Sequence, residues 1–92
     1  MLEQTLKDLS AKNLDVRLLY KNNLDGFVAM ITWHDPKHCY TLRTKRLIRF
    51  QELYAPIQFD MNDIFEFNLS NILGNMAIKV LDTARKKGYR DV

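Results

Sequence analysis

The residues beyond Pro56 constrain this chain more than any others. Met61, Ile64, Phe65, Leu69, Ile72, Leu73, Met76, Val80, Leu81 and Ala84 recur at intervals of three and four, which is the period of an amphipathic helix. The spacing predicts a helix over 60–88. Asp60 is placed as its N-cap and Asp63 in its first turn, while Arg85, Lys86 and Lys87 stand in the last turn before Gly88, so that charge complements the helix dipole at both ends. Within it, Asn68-Leu69-Ser70-Asn71 and Gly74 are poor helix formers, and a kink or break near Asn68 to Asn71 is expected.

A helix of this length needs a surface to cover, and the preceding half of the chain supplies one. Leu2, Leu6 and Leu9 lie on one stripe, with Glu3, Lys7 and Asp8 facing out, so a short helix is expected over 1–13, ending near Asn13. From 14 to 57 the period drops to two. Val16, Leu18 and Tyr20 alternate with Arg17, Leu19 and Lys21 in a first strand, and an Asn-Asn-Leu-Asp-Gly turn leads into Phe27–Trp33, a β-branched and aromatic run expected to be buried on both faces. Pro36 breaks that strand. Cys39–Thr44 and Arg46–Tyr54 read as third and fourth extended segments, the last stopped by Pro56. The fold expected is α+β: an N-terminal helix, a three- to four-stranded antiparallel sheet or small barrel, and a long C-terminal helix.

With 92 residues the chain is expected to form a single domain, 1–92, since independent folding units run to about 50–200 residues. No apolar stretch approaches the length that crosses a membrane, and the start, Met-Leu-Glu-Gln-Thr-Leu-Lys-Asp, lacks the basic-then-apolar order of a leader, so a cytoplasmic protein with no membrane contact is expected. The single cysteine, Cys39, cannot close an internal disulfide. A domain without staples must pack efficiently or share its core with a partner.

Catalytic and ligand side chains gather only at His34, Asp35, His38 and Cys39. Tetrahedral zinc takes convergent ligands from separated pairs, and no second pair exists here, so these are read as turn residues and neither a metal nor another cofactor is expected. Adjacent strand residues point to opposite faces, which sets His38 poorly as a base for Cys39. Gly26, Gly74 and Gly88 are too scattered to cradle a nucleotide. The chain is therefore expected not to be an enzyme.

Charge placement is more informative than the net charge of +3. Lys37, Arg43, Lys45, Arg46 and Arg49 fall in one stretch without an acid, interleaved with Tyr40 and followed by Phe50 and Tyr54, and Arg85, Lys86 and Lys87 add a second basic group. Cations on a strand surface with aromatics nearby are the composition that holds a phosphate backbone. The same residues also serve to cap a helix or to blunt a sheet edge. On the long helix, Phe67 and Ile78 fall off the main stripe. Together with Ile72 and Met76 they mark a face for a homodimer or a partner protein, unless sheet and first helix cover it within the chain.

The order helix, Val16-x-Leu18-x-Tyr20, Asn/Gly turn, Ile31 to Asp35-Pro36, and Ile48-x-Phe50-x-x-Leu53-x-x-x-Ile57 resembles the Sm-like small β-barrels, within them the YolD-like family and, more distantly, Hfq. Ala29 stands where the second strand of those families has a bending glycine, and His34 replaces the apolar residue before the aspartate. Gln51-Glu52 occupies the place of the Lys-His pair with which Hfq holds RNA ends, so that site is not carried over. The resemblance implies a small non-enzymatic accessory protein of bacteria, phages or plasmids in a DNA-damage context. The alternative is a phage- or plasmid-encoded inhibitor that binds a host defence protein. A double-stranded RNA-binding domain shares the element order, but Asp60, Asp63 and Glu66 would repel phosphate at the start of its second helix.

Overall fold

The computed structural model describes residues 1–35, 37, 40–54 and 61–88, the side chains of Tyr40 and residues 61–63 excepted. Helix α1 (Leu2–Ala11) is followed by β1 (Leu14–Lys21), a 3-10 turn (Asn22–Leu24), β2 (Gly26–Asp35), β3 (Tyr40–Arg49), a short helix α2 (Phe50–Leu53) and the 26-residue α3 (Met61–Lys86). The strands form one antiparallel sheet in the order β1-β2-β3. Of the two architectures expected, this is the open sheet: β1 and β3 are its edges. Pro36, His38, Cys39, Pro56, Ile57 and Asp60, with the turn, stop and cap read there, lie outside the described residues.

Local chemistry explains the element ends. Helix α1 closes where Lys12 and Asn13 donate backbone N–H bonds to Leu9 and Ser10 at 3.0 Å, and Asn13 takes a left-handed φ of 63°, which asparagine tolerates better than most residues. Asp25, at φ 50°, does the same before β2. At the far end of α3, Lys87 and Gly88 donate to Thr83 and Arg85 at 3.0 Å, with Gly88 at φ 80°. That is the glycine stop read from the sequence.

All residues of β2 with odd numbers face the helices. Phe27, Ala29, Ile31 and Trp33 are buried there, joined by Leu14 of β1, Ile48 of β3, Leu53, and Leu69, Leu73, Met76, Val80 and Ala84 of α3 in one hydrophobic cluster. The expectation that β2 is buried on both faces is corrected: Val28, Met30 and Thr32 on its other face are only partly covered, because α1 and α3 pack on the same side and no described helix lies over the other. Two layers result, and the thin dimension of 19 Å agrees.

Two further expectations are corrected. The third and fourth extended segments are one strand to Arg49, since no glycine or proline interrupts the alternation of Leu42, Thr44, Arg46 and Ile48; the chain then turns helical where Glu52 Oε2 accepts the Arg49 N–H at 2.9 Å and Leu53 enters the core. Helix α3 is unbroken through Asn68–Asn71. Asn68, half-buried, donates from Nδ2 to the Leu53 carbonyl at 3.0 Å, satisfying the end of α2, so its place in the helix is a tertiary one. Ser70 is different: its hydroxyl is buried and finds no hydrogen-bond partner among the described residues. Ser70→Ala is expected to raise stability by about 0.5–1.5 kcal/mol, by removing an unsatisfied polar group and improving helix propensity, read as a higher urea midpoint.

Candidate nucleic-acid interface

The uncovered face of the sheet is built by register. Antiparallel partners share a face, and the pairs Asp15–Thr32–Arg43, Arg17–Met30–Lys45, Leu19–Val28–Leu47 and Lys21–Gly26–Arg49 form rows across the three strands on the side away from the helices. Cations stand on both edge strands and aliphatic side chains run between them. Arg17, Lys21, Arg43, Lys45 and Arg49 are opposed on this face by a single acid, Asp15. Neighbouring cations on β3, Arg43 and Lys45, are about 7 Å apart along the strand and about 10 Å from those of β1 across it.

Most of these charges are uncommitted. Arg17 Nε lies 3.5 Å from Asp15 Oδ2, both well exposed, and a pair of that kind contributes little. Arg43 Nε donates to Thr32 Oγ1 at 3.4 Å, and His34 Nδ1 is 3.3 Å from Thr41 Oγ1 across β2 and β3. Lys21, Lys45 and Arg49 are ion-paired to no described residue.

The basic residues singled out from the sequence divide. Arg43, Lys45 and Arg49 share the open face. Arg46 does not: it pairs with Ala29 on the helix side, its Nη2 donates to Glu52 Oε1 at 2.7 Å, and it lines a shallow groove of about 220 Å³ with Ile72, Asn75, Met76 and Lys79. Lys37 is exposed in the β2–β3 connection, where its N–H donates to Asp35 Oδ1 at 2.9 Å. Tyr40 pairs with Asp35 in register. Arg85, Lys86 and Lys87 end the helical layer, and Arg85 Nη1 lies 3.3 Å from Asp82 Oδ1. The structure does not bring them to the sheet's open face.

Phe50 and Tyr54, two of the aromatics read as neighbours of the basic stretch, pack within the fold. Phe50 packs between Tyr20 and Phe27, with centroids 6.0 Å away in each case, and Tyr54 sits against Phe65 at 5.7 Å. On the long helix, Met76 belongs to the core and Ile72 packs against it, which leaves Phe67 and Ile78, 48% and 58% exposed, as the apolar residues of the helix's outer side. Arg17 and Lys21 were missed as members of the basic face. Their alternation with Val16, Leu18 and Tyr20 already placed them opposite the core, and the same counting separates Arg46 from Arg43, Lys45 and Arg49.

Among the described residues no three His, Cys, Asp or Glu side chains converge on a point that could hold a metal, and no helix is long and apolar enough to cross a membrane. His38 and Cys39 lie outside those residues. What the face offers is a platform of positive charge with an aliphatic centre, suited to holding an extended anionic chain. Comparison with protein-family models, with curated proteins and with solved structures finds no match to this chain.

Proposed function

We propose that this is a non-enzymatic binding protein that holds a nucleic-acid backbone on the open face of its sheet, in keeping with the accessory role that the YolD-like resemblance implies. One observation carries the reading: the alternation of three strands collects Arg17, Lys21, Arg43, Lys45 and Arg49 on the one face that no helix covers. With no aromatic side chain in those rows, bases would not stack there, so the contact is to phosphates and indifferent to sequence.

The test is fluorescence anisotropy with a labelled single strand and a labelled duplex across a salt series. Binding should weaken linearly with the logarithm of salt, and the triple variant Arg43→Ala, Lys45→Ala, Arg49→Ala should flatten the slope by about two to three counterions at every sequence tried. Arg46→Ala should leave the slope unchanged, because its guanidinium is held by Glu52. Absence of binding by the parent protein at low salt would end this reading. The second reading, an inhibitor of a host defence protein, is favoured by the aliphatic row of Leu19, Val28 and Leu47, with Leu19 59% exposed, which phosphate does not use and an acidic protein with an apolar patch would.

A further inference from the structure

The two edges of the sheet are unlike. Along β3 the outward-facing backbone groups belong to the odd-numbered residues, because Phe50 N donates to Asp25 O at 2.9 Å and fixes the hydrogen-bonding parity of the β2–β3 ladder. Arg43, Lys45 and Arg49 stand among them. A second strand laid there would meet a row of cations, and such an edge resists pairing with its own copy.

On β1 the parity is set by His34 N, which donates to Asn13 O at 3.1 Å. Since Asn13 and His34 continue the β1–β2 register, odd-numbered residues of β1 bond to β2, and Val16, Leu18 and Tyr20 direct their N–H and C=O groups outward. None of these outward groups is bonded to a described residue. The same stretch is apolar on both sides of the sheet: Leu18 is 48% exposed on the helix side, beyond the reach of the helices, and Leu19 and Tyr20 are comparably open. A strand with free backbone groups and apolar side chains on both faces is a template for another strand.

We infer that β1 pairs antiparallel with β1 of a second copy about a two-fold axis at Leu18, joining two sheets into one of six strands. Charge chooses the occupant, and charge and overlap together choose the register. An axis at Val16 also sets Asp15 against Arg17 but overlaps only residues 14–18 of the strand, against 15–21 for an axis at Leu18. With the axis at Leu18, Asp15 stands opposite Lys21 of the second copy and Lys21 opposite its Asp15, Val16 faces Tyr20, Leu18 faces Leu18, and Arg17 faces Leu19. Moving the axis one residue to Arg17 sets arginine against arginine, and moving it to Leu19 sets Arg17 against Lys21. Like charges directly opposite destabilise a pair of strands, whereas opposite charges and aliphatic or aromatic pairs stabilise it. An isologous interface requires this self-complementarity. The assignment also relocates the homodimer expected from the long helix, whose Met76 and Ile72 are occupied within the chain.

Sedimentation velocity from about 1 to 100 µM, the range in which a short interface of this kind would associate, tests it. The parent protein should shift from one chain to two. Leu18→Lys, an exposed site that leaves the monomer fold intact by circular dichroism, should sediment as one chain throughout. Asp15→Lys and Lys21→Asp should each weaken dimerisation about tenfold or more, and the double swap should restore it, an outcome that only this register explains. A parent protein that stays one chain at the highest concentration while folded would overturn the proposal. So would a dimer indifferent to Leu18→Lys but dissociated by Phe67→Asp or Ile78→Asp. Neither result bears on phosphate binding, which the anisotropy experiment reads from the labelled nucleic acid and from variants of β3, the opposite edge of the sheet.

Discussion

Trp33→Ala is expected to remove most of the stability of this protein. The indole is 1% exposed, on the helix side of the central strand, with Leu14 and Leu42 as its register partners. Truncating a buried aromatic to alanine costs about 3–5 kcal/mol, the lost transfer energy plus the cavity left behind, against a total of about 5–15 kcal/mol for an ordinary domain. No disulfide within the chain offsets the loss, because Cys39 is the only cysteine. Far-UV circular dichroism in urea reads the effect, since Trp33 is also the only tryptophan and its fluorescence goes with it. Trp33→Phe should lose less than half as much. A wild-type urea midpoint for Trp33→Ala would show that the sheet does not pack on α3 as described.

Gly26→Ala is expected to be the other severe substitution, for a reason rooted in backbone rather than side-chain packing. A Cβ at Gly26 would collide with the Ile48 carbonyl oxygen and stand 2.8 Å from Arg49 Cα. Both obstacles are main chain and cannot swing aside. Relief requires β2 and β3 to separate next to the bond from Phe50 N to Asp25 O, where α2 begins and Phe50 stacks on Tyr20 and Phe27. The expected loss is about 2–4 kcal/mol. Gly74→Ala is the control, because a Cβ there meets nothing within 4 Å and alanine is favoured over glycine in a helix by about 0.5–1 kcal/mol. Thermal melts should therefore move in opposite directions, by about 4–8 °C per kcal/mol. Equal shifts of the same sign would contradict the close approach at Gly26.

These expectations rest on different parts of what was readable. The long helix, its stop at Gly88, the end of the first helix near Asn13 and the alternation of β1 were all legible, because each is set by a local period or by a residue with a special backbone preference. The unbroken α3 was not. Asn68 looks like a helix breaker from its neighbours alone, and its use as a donor to the Leu53 carbonyl depends on a residue fifteen positions earlier in the chain. The length of β3 was missed for a related reason: a helical turn at Phe50 is stabilised by Glu52 bonding back to Arg49 and by burial of Leu53, and the strand pattern on either side carries no sign of that burial.

The candidate site divides along the same line. Strand parity sorts Arg17, Lys21, Arg43, Lys45 and Arg49 from Arg46 without coordinates, because the side-chain period of a strand is two. Which of the two resulting faces would be left open was decided only by tertiary structure. That choice depends on both α1 and α3 lying on the side of Ile31 and Trp33, and a helix stripe records how wide an apolar surface it needs, not which side of the sheet provides it. By itself, then, the sequence determined α1, β1, β2 and the span of the long helix, and the grouping of charges within each strand, since those follow from interactions a few residues apart. Only tertiary packing turned Met76 inward, committed Arg46 to Glu52 across the turn into α2, and left the apolar edge of β1 and the basic face of the sheet without a cover among the described residues.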